Sequence, residues 1–322
     1  VFTSIYGVVD GLFVSNFVGK TPFAALNLIM PMIMIFGAVG FMIGTGGSAL
    51  VAKTLGEGDR ERANSYFTML IKLDLIAGII IAVLGIFFTE PVAVLLGADE
   101  DLLPHCVVYG RIVMLAQPAF MLQNAFQSFL ITAEKPKFGL LVTVFAGCTN
   151  ILLDWLFVGV SGWGLVGAAL ATGLSQVVGG VIPLFYFLRE NSSLLRLKRT
   201  RMKAAPLLKA CANGSSELMS NLSMSLVGML YNMQLLSLAG ENGVAAYGVI
   251  MYVNFIFVSI FIGFSIGTAP IIGYHFGALN SAELKSLLRK SITLVCSAGV
   301  LMTVIAELLS STLAAMFVSY DA

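Results

Sequence analysis

Nine apolar stretches, each long enough to cross a bilayer, fill most of this chain, and no other feature restricts its fold as severely. They run roughly over 1–18, 23–52, 64–88, 105–132, 138–158, 163–188, 206–238, 244–274 and 286–317; a spanning helix needs ~20 mostly apolar residues. Hydrocarbon offers no partner to a backbone N–H or C=O, so each stretch is expected to be a helix. Hydrophobic residues make up 58% of the sequence and charged ones 11%, where a soluble domain carries roughly a quarter charged. The fold class is therefore all-α, a polytopic membrane bundle.

Basic residues gather in alternate loops. Lys53, Arg60 and Arg62 follow the second stretch, Lys135 and Lys137 the fourth, Arg189 through Lys209 the sixth, and Lys285, Arg289 and Lys290 the eighth. Cytoplasmic loops collect Lys and Arg, so the even-numbered spans are expected to end in the cytoplasm of a bacterial inner membrane, with the first beginning there. Lys20 is the one exception. Segment 190–214 interleaves leucines with basic residues and is expected to lie along the anionic inner membrane face. A net charge of +1 gives no reason to expect nucleic acid as a partner. The four cysteines lie far apart without a CxxC, and His105 and His275 belong to no metal motif, which speaks against a metallohydrolase.

Sliding the sequence against itself gives a match at one offset, 221. Gly7, Gly19, Gly46 and Gly56 fall on Gly228, Gly240, Gly267 and Gly277, with Ala24, Ala25 and Met30 on Ala245, Ala246 and Met251. The copies are six spans apart, an even number, so they enter the bilayer in the same direction and form parallel repeats about an axis along the membrane normal. The domains expected are a first lobe at 1–189, a basic linker at 190–205 and a second lobe at 206–322, cut to about three helices. Twice the offset is about 440 residues, so the sequence reads as part of a longer chain, with no leader to remove.

An ionisable residue in a spanning helix costs ~3 kcal/mol or more and commonly faces a cavity. Asp10, Asn150 and Thr172 each lie nine residues from an outer turn, hence at one level, about 13 Å deep at ~1.5 Å per residue. Asp154 sits one turn further out on the face of Asn150. Such hard oxygen ligands suit Na⁺, while two crowded carboxylates favour uptake of a proton; a static fastening between helices is the bland alternative. In the seventh stretch Asn213, Glu217, Asn221 and Ser225 recur every four residues as one polar stripe. Glu217 could draw a cationic substrate, take a proton or bond a neighbour; Asn221, Gln123 and Gln127 are further candidates for lining a substrate cavity. Lys72, Asp74 and Arg111 are expected to be structural groups that snorkel from helix ends.

SIYGVVDGLFV, GTGGSALVAKTLGEGDRERA, TNILLDWLFV, GLVGAALAT, NGSSELMSNLS and GYHFGALN resemble, in their order and spacing, the multidrug and toxic compound extrusion (MATE) family, and within it the bacterial MepA-like branch. The resemblance implies a twelve-helix antiporter of two six-helix lobes, exporting bulky and often cationic organic compounds against inward H⁺ or Na⁺. It carries an ion site onto Asp10, Asn150, Asp154 and Thr172, and an acidic position of that branch onto Glu217. The expected partners are small organic substrates and the bilayer; the chain would act as a monomer, with no cofactor besides the coupling ion. A flippase for lipid-linked saccharides is the alternative, but it calls for Arg or Lys deep in the cavity to meet pyrophosphate, where this chain has essentially none. No nucleophile and base pair or nucleotide loop supports an enzyme.

Overall fold

The computed structural model describes residues 13–317, and among them the secondary structure is helical without a strand. A π-helical turn, Val14–Val18, closes the first span. Eight α-helices follow: α1 Lys20–Gly56, α2 Arg60–Leu95, α3 Leu103–Leu115, α4 Gln117–Thr132, α5 Pro136–Asp154, α6 Gly164–Leu188, α7 Ala204–Gly277 and α8 Ser281–Phe317. The internal repeat is visible in the boundaries themselves. α1 ends at Gly56 and α2 starts at Arg60, while α7 ends at Gly277 and α8 starts at Ser281, an offset of 221 in both cases.

Six of the nine expected spans are long and apolar enough to cross a membrane: Thr21–Gly56, Arg60–Leu95, Pro136–Val160, Gly164–Leu188, Phe257–Gly277 and Ser281–Leu308. The first expected span lies mostly outside the described residues, and the seventh forms the first part of α7. The fourth is a pair, α3 and α4, bent by 55°. Pro118 explains the break: it has no N–H to give, and its ring crowds the carbonyl of Met114 one turn back. The chain tightens there, with Ala116 N–H donating to the Val113 carbonyl at 3.0 Å.

α7 is helical over 74 residues, which laid straight would reach roughly 110 Å, more than three times the hydrocarbon thickness. It doubles back instead. Gly214 packs on Met42 of α1, and Ala210 on Gly46, whereas Gly273 and Gly277 pack on Ala49 and Lys53 of the same helix. Both ends of α7 thus lie beside the last few turns of α1, so this one element supplies two spans, as the stretches 206–238 and 244–274 require.

The first lobe holds together through small residues as much as large ones. Gly40 and Gly44 of α1 lie so close to Met121 and Ala125 of α4 that a β-carbon on either glycine would come within 2.7 Å of the opposing Cα. Such approach replaces the hydrophobic drive that helices lack in lipid. Near the linker Phe67, Phe129 and Phe187 meet edge to face at 4.9–5.0 Å, each pair adding about 1 kcal/mol beyond burial. At the opposite end Val14, Ile29, Tyr109, Met114, Val158 and Leu165 form a second core. Ile76, Ile80, Val83 and Phe87 stay exposed on α2, which is its lipid face.

The linker carries an order of its own: residues 193–200 run extended along α2. Arg60 donates to the carbonyls of Ser193 and Leu194 at 2.8 and 3.1 Å; Asn64 Oδ1 accepts from Arg196 N–H at 2.8 Å and Thr68 Oγ1 from Lys198 N–H at 3.1 Å; Lys72 donates to the Thr200 carbonyl at 3.2 Å. The physical reason is a match of periods. Four helical residues rise ~6 Å and two extended residues ~6.6 Å, so every fourth side chain of α2 meets every second peptide of the strap. The alternation of leucine and base is a strand period. Leu195 is buried and Leu197 packs against the core, while Arg196 turns outward and Lys198 pairs with Glu61.

Candidate functional site

α5 has one buried face, Val142, Ala146, Gly147, Asn150 and Asp154, while Leu141, Phe145, Leu152 and Trp155 are exposed. The acid and the amide therefore sit on the inward face of a helix whose outward face is grease. Asn150 is 1% exposed and Asp154 0%, and Asn150 Oδ1 has no hydrogen-bond partner. Beyond Asp154 the helix widens into a π-helical turn, Trp155–Val160, a form often found at functional positions.

Thr172 faces the same interior. A β-carbon on Gly167 of α6 would lie 3.0 Å from the Phe157 Cβ; the helices run antiparallel, and five residues along one and five back along the other set Thr172 beside residue 152. That level falls between Asn150 and Asp154. Thr172 Oγ1 is buried without a partner. The first span arrives at the same place, since Val14 packs with Val158, Leu165, Ala168 and Ala169. Asp10 itself lies outside the described residues. Among the described residues no cluster of three His, Cys, Asp or Glu side chains is placed to hold a metal; the groups at this level are one carboxylate, one carboxamide and one hydroxyl.

The second group of candidates is only partly brought together. Glu217 and Asn221 are half-buried, with Asn221 Nδ2 donating to the Glu217 carbonyl at 2.8 Å, and they follow Gly214, which is seated on Met42 of α1. Asn213 is exposed, and nothing is described of the Ser225 side chain. Gln127 is half-buried. Gln123 is 5% exposed and lies across Gly179 of α6, inside the first lobe. Arg111 does reach a helix end, pairing with Glu90 at 3.3 Å. Asp74 does not snorkel, being fully buried with neither carboxylate oxygen partnered.

Where the lobes meet, the contact repeats itself. A β-carbon on Gly56 would overlap the Tyr274 carbonyl oxygen, and one on Gly277 would overlap the Lys53 carbonyl oxygen. Lys53 and Tyr274 are counterparts at offset 221, as are Gly56 and Gly277, so each lobe offers the other the same patch. Ala52 and its own counterpart Gly273 face each other near the axis, their β-carbons 3.4 Å apart once one is built on the glycine. Lys53 Nζ also stands 5.2 Å from the centre of the Phe276 ring. Spacing of small residues by four, Ala52 to Gly56 and Gly273 to Gly277, lets the two backbones touch.

Fold and interior together define a polytopic membrane protein of two repeated lobes with polar groups sealed inside the first. The MatE family model matches residues 1–156 and 218–322, and the chain belongs to that family. The multidrug export protein MepA of Staphylococcus haemolyticus is 26% identical over 88% of this chain and 63% of its own length. The protein of that name from Staphylococcus saprophyticus is 26% identical over 94% and 67%, so the chain spans about two thirds of the curated relatives it matches. A crystal structure of a MATE in its bent conformation superposes with a TM-score of 0.90 at 23% identity, covering 98% of this chain and 71% of that one. An outward-facing multidrug resistance MATE transporter of the MOP superfamily gives 0.92 at 23%, covering 100% and 71%. A Pyrococcus furiosus transporter of the MOP superfamily, described as having a binding pocket of reversed polarity that suggests a different function, also gives 0.92 at 23%, covering 100% and 71%. These structures share the fold, and the fold leaves the charge of the substrate open.

Proposed function

We propose that the full-length protein is a cation-coupled exporter of bulky organic compounds, many of them cationic, working by alternating access in a bacterial inner membrane. The observation that carries this reading is the buried pair Asn150 and Asp154 on the inward face of α5, with the buried hydroxyl of the half-buried Thr172 on α6 at their level. A carboxylate at that depth is an expensive fastener when Ser or Asn would serve, but it is what a small cation or a proton requires. Since Lys and Arg mark the cytoplasmic side, the linker end faces the cytoplasm, and the two-fold contact there closes the lobes on that side. Glu217 and Asn221 then stand just outward of the closure, where they would meet a substrate reached from outside. Ion and substrate would favour opposite openings of the lobes, which is sufficient for exchange.

The test is efflux of an organic cation from proteoliposomes with a pH gradient and a Na⁺ gradient imposed separately. One gradient should drive export, and Asp10→Asn or Asp154→Asn should abolish it in protein that remains folded by circular dichroism. Wild-type efflux in both variants would refute the site.

A further inference from the structure

Asp74 is the buried acid that the reading above leaves unused. It lies in α2 with 0% exposure, and neither Oδ1 nor Oδ2 has a hydrogen-bond partner. Two contacts bracket it. One turn earlier Leu70 packs, together with Phe129 of α4, against Gly47 of α1; one turn later Gly78 abuts Pro118 of α4. α2 and α4 run antiparallel, so Asp74 falls level with Asn124, whose buried Nδ2 is also without a partner. Gly44 of α1 closes on Ala125 beside it.

The surroundings hold nothing to balance a charge. α1 has no ionisable residue from Thr21 to Ala52, and α4 has none at all. On α3, Arg111 is drawn to Ile86 and Glu90, three to four turns away along α2, and Gly110 beside it packs on Thr89, so Tyr109 and Arg111 belong to that distant level; His105 and Cys106 lie further still. The ionisable groups of α2 and α7 that line a common cavity, Arg62, Tyr66 and Lys209, lie two or more turns from Asp74. Lys72, on α2 itself, is spent on the Thr200 carbonyl. A bare carboxylate sealed among glycines and an amide carries the full desolvation penalty. The repeat also shows that packing does not demand it, because the counterpart of Asp74 in the second copy is Val295.

We propose that Asp74 is a proton-binding site of the first lobe, separate from the Asn150, Asp154 and Thr172 group, and that it controls the bend between α3 and α4. In the conformation described the carboxyl carries its proton. Its loss would require water at the carboxylate, and admitting water demands that α2 part from α4 next to Pro118, the point where the span is broken by 55°. Release of the proton and a change of that bend are then one event. The proposal does not depend on which ion drives export.

Infrared spectroscopy of the full-length protein in lipid tests it, because the C=O stretch of a protonated carboxyl is resolved from that of amides and carboxylates. At neutral pH the protonated-carboxyl band should contain a component that is lost in Asp74→Asn and kept in Asp154→Asn; Asp74→Glu should retain it at a shifted position. A pair of spin labels on α3 and α4 should report a distance that changes with pH in the wild type and stays fixed in Asp74→Asn. A band indifferent to Asp74→Asn would overturn the proposal. So would a band that survives at every pH while the label distance moves, since that describes a permanently neutral fastener. Loss of coupled efflux in Asp154→Asn with the Asp74 band intact separates failure of the ion site from failure of this one.

Discussion

Glu217 is half-buried just beyond the seat of Gly214 on α1, and under the proposed function it faces the substrate. Replacing it by Gln should raise the half-saturating concentration of a monovalent organic cation about tenfold, ~1.4 kcal/mol, and leave a neutral substrate of similar size unchanged; equal losses for both would make Glu217 a structural residue. Gln123 should behave differently. It is held across Gly179 inside the lobe, so Gln123→Met should keep the wild-type substrate profile in an efflux assay. The Asn150 and Asp154 pair was legible in the sequence because a four-residue spacing puts two side chains on one face whatever the tertiary context. Asp74 was not, for a physical reason. With Lys72 and Arg111 it reads as a helix-end residue, but α2 runs 36 residues, and its first turns are covered by a linker strap that no local periodicity announces.

Among elements, the strap and the two-fold contact make separate predictions. Asn64 and Thr68 each receive one peptide N–H of the strap, worth about 1 kcal/mol apiece. The double variant Asn64→Ala with Thr68→Ala should therefore release this segment locally and speed trypsin cleavage after Lys198 by about 30-fold, corresponding to ~2 kcal/mol, without lowering the thermal stability of the lobe to a similar degree. The glycines at the lobe contact are counterparts, so Gly56→Leu and Gly277→Leu should have the same effect although 221 residues separate them: each drives the lobes apart near the linker, seen as increased labelling of a cysteine placed at Ala52. Opposite or very unequal effects would deny the two-fold. The parallel repeat was readable from matched glycines alone, and the helix boundaries follow it. The bend at Pro118 and the reversal within α7 depend on what each segment packs against, which is why the sequence offered one straight span for the former and two separate helices for the latter.

At the scale of the whole molecule the lobes are unequal. The apolar window of α2 is 33% buried, whereas that of its counterpart α8 is 0% buried in the described chain; the repeat assigns the bare face of α8 to whatever corresponds to α3 and α4. What the described chain does contain is a small self-matching contact between counterpart glycines, and under the proposed function this is the joint that opens and closes. The direct measurement is the distance between spin labels at Glu57 and Ala278, counterparts across that contact, in the full-length protein reconstituted in lipid. Addition of the coupling cation, H⁺ or Na⁺, should convert a short distance into a mixture containing a longer one, and Asp154→Asn should remain in a single population whatever the cation. One unchanging distance in the wild type under both ions, or an undiminished response in Asp154→Asn, would contradict the link between the first-lobe pocket and the opening of the molecule.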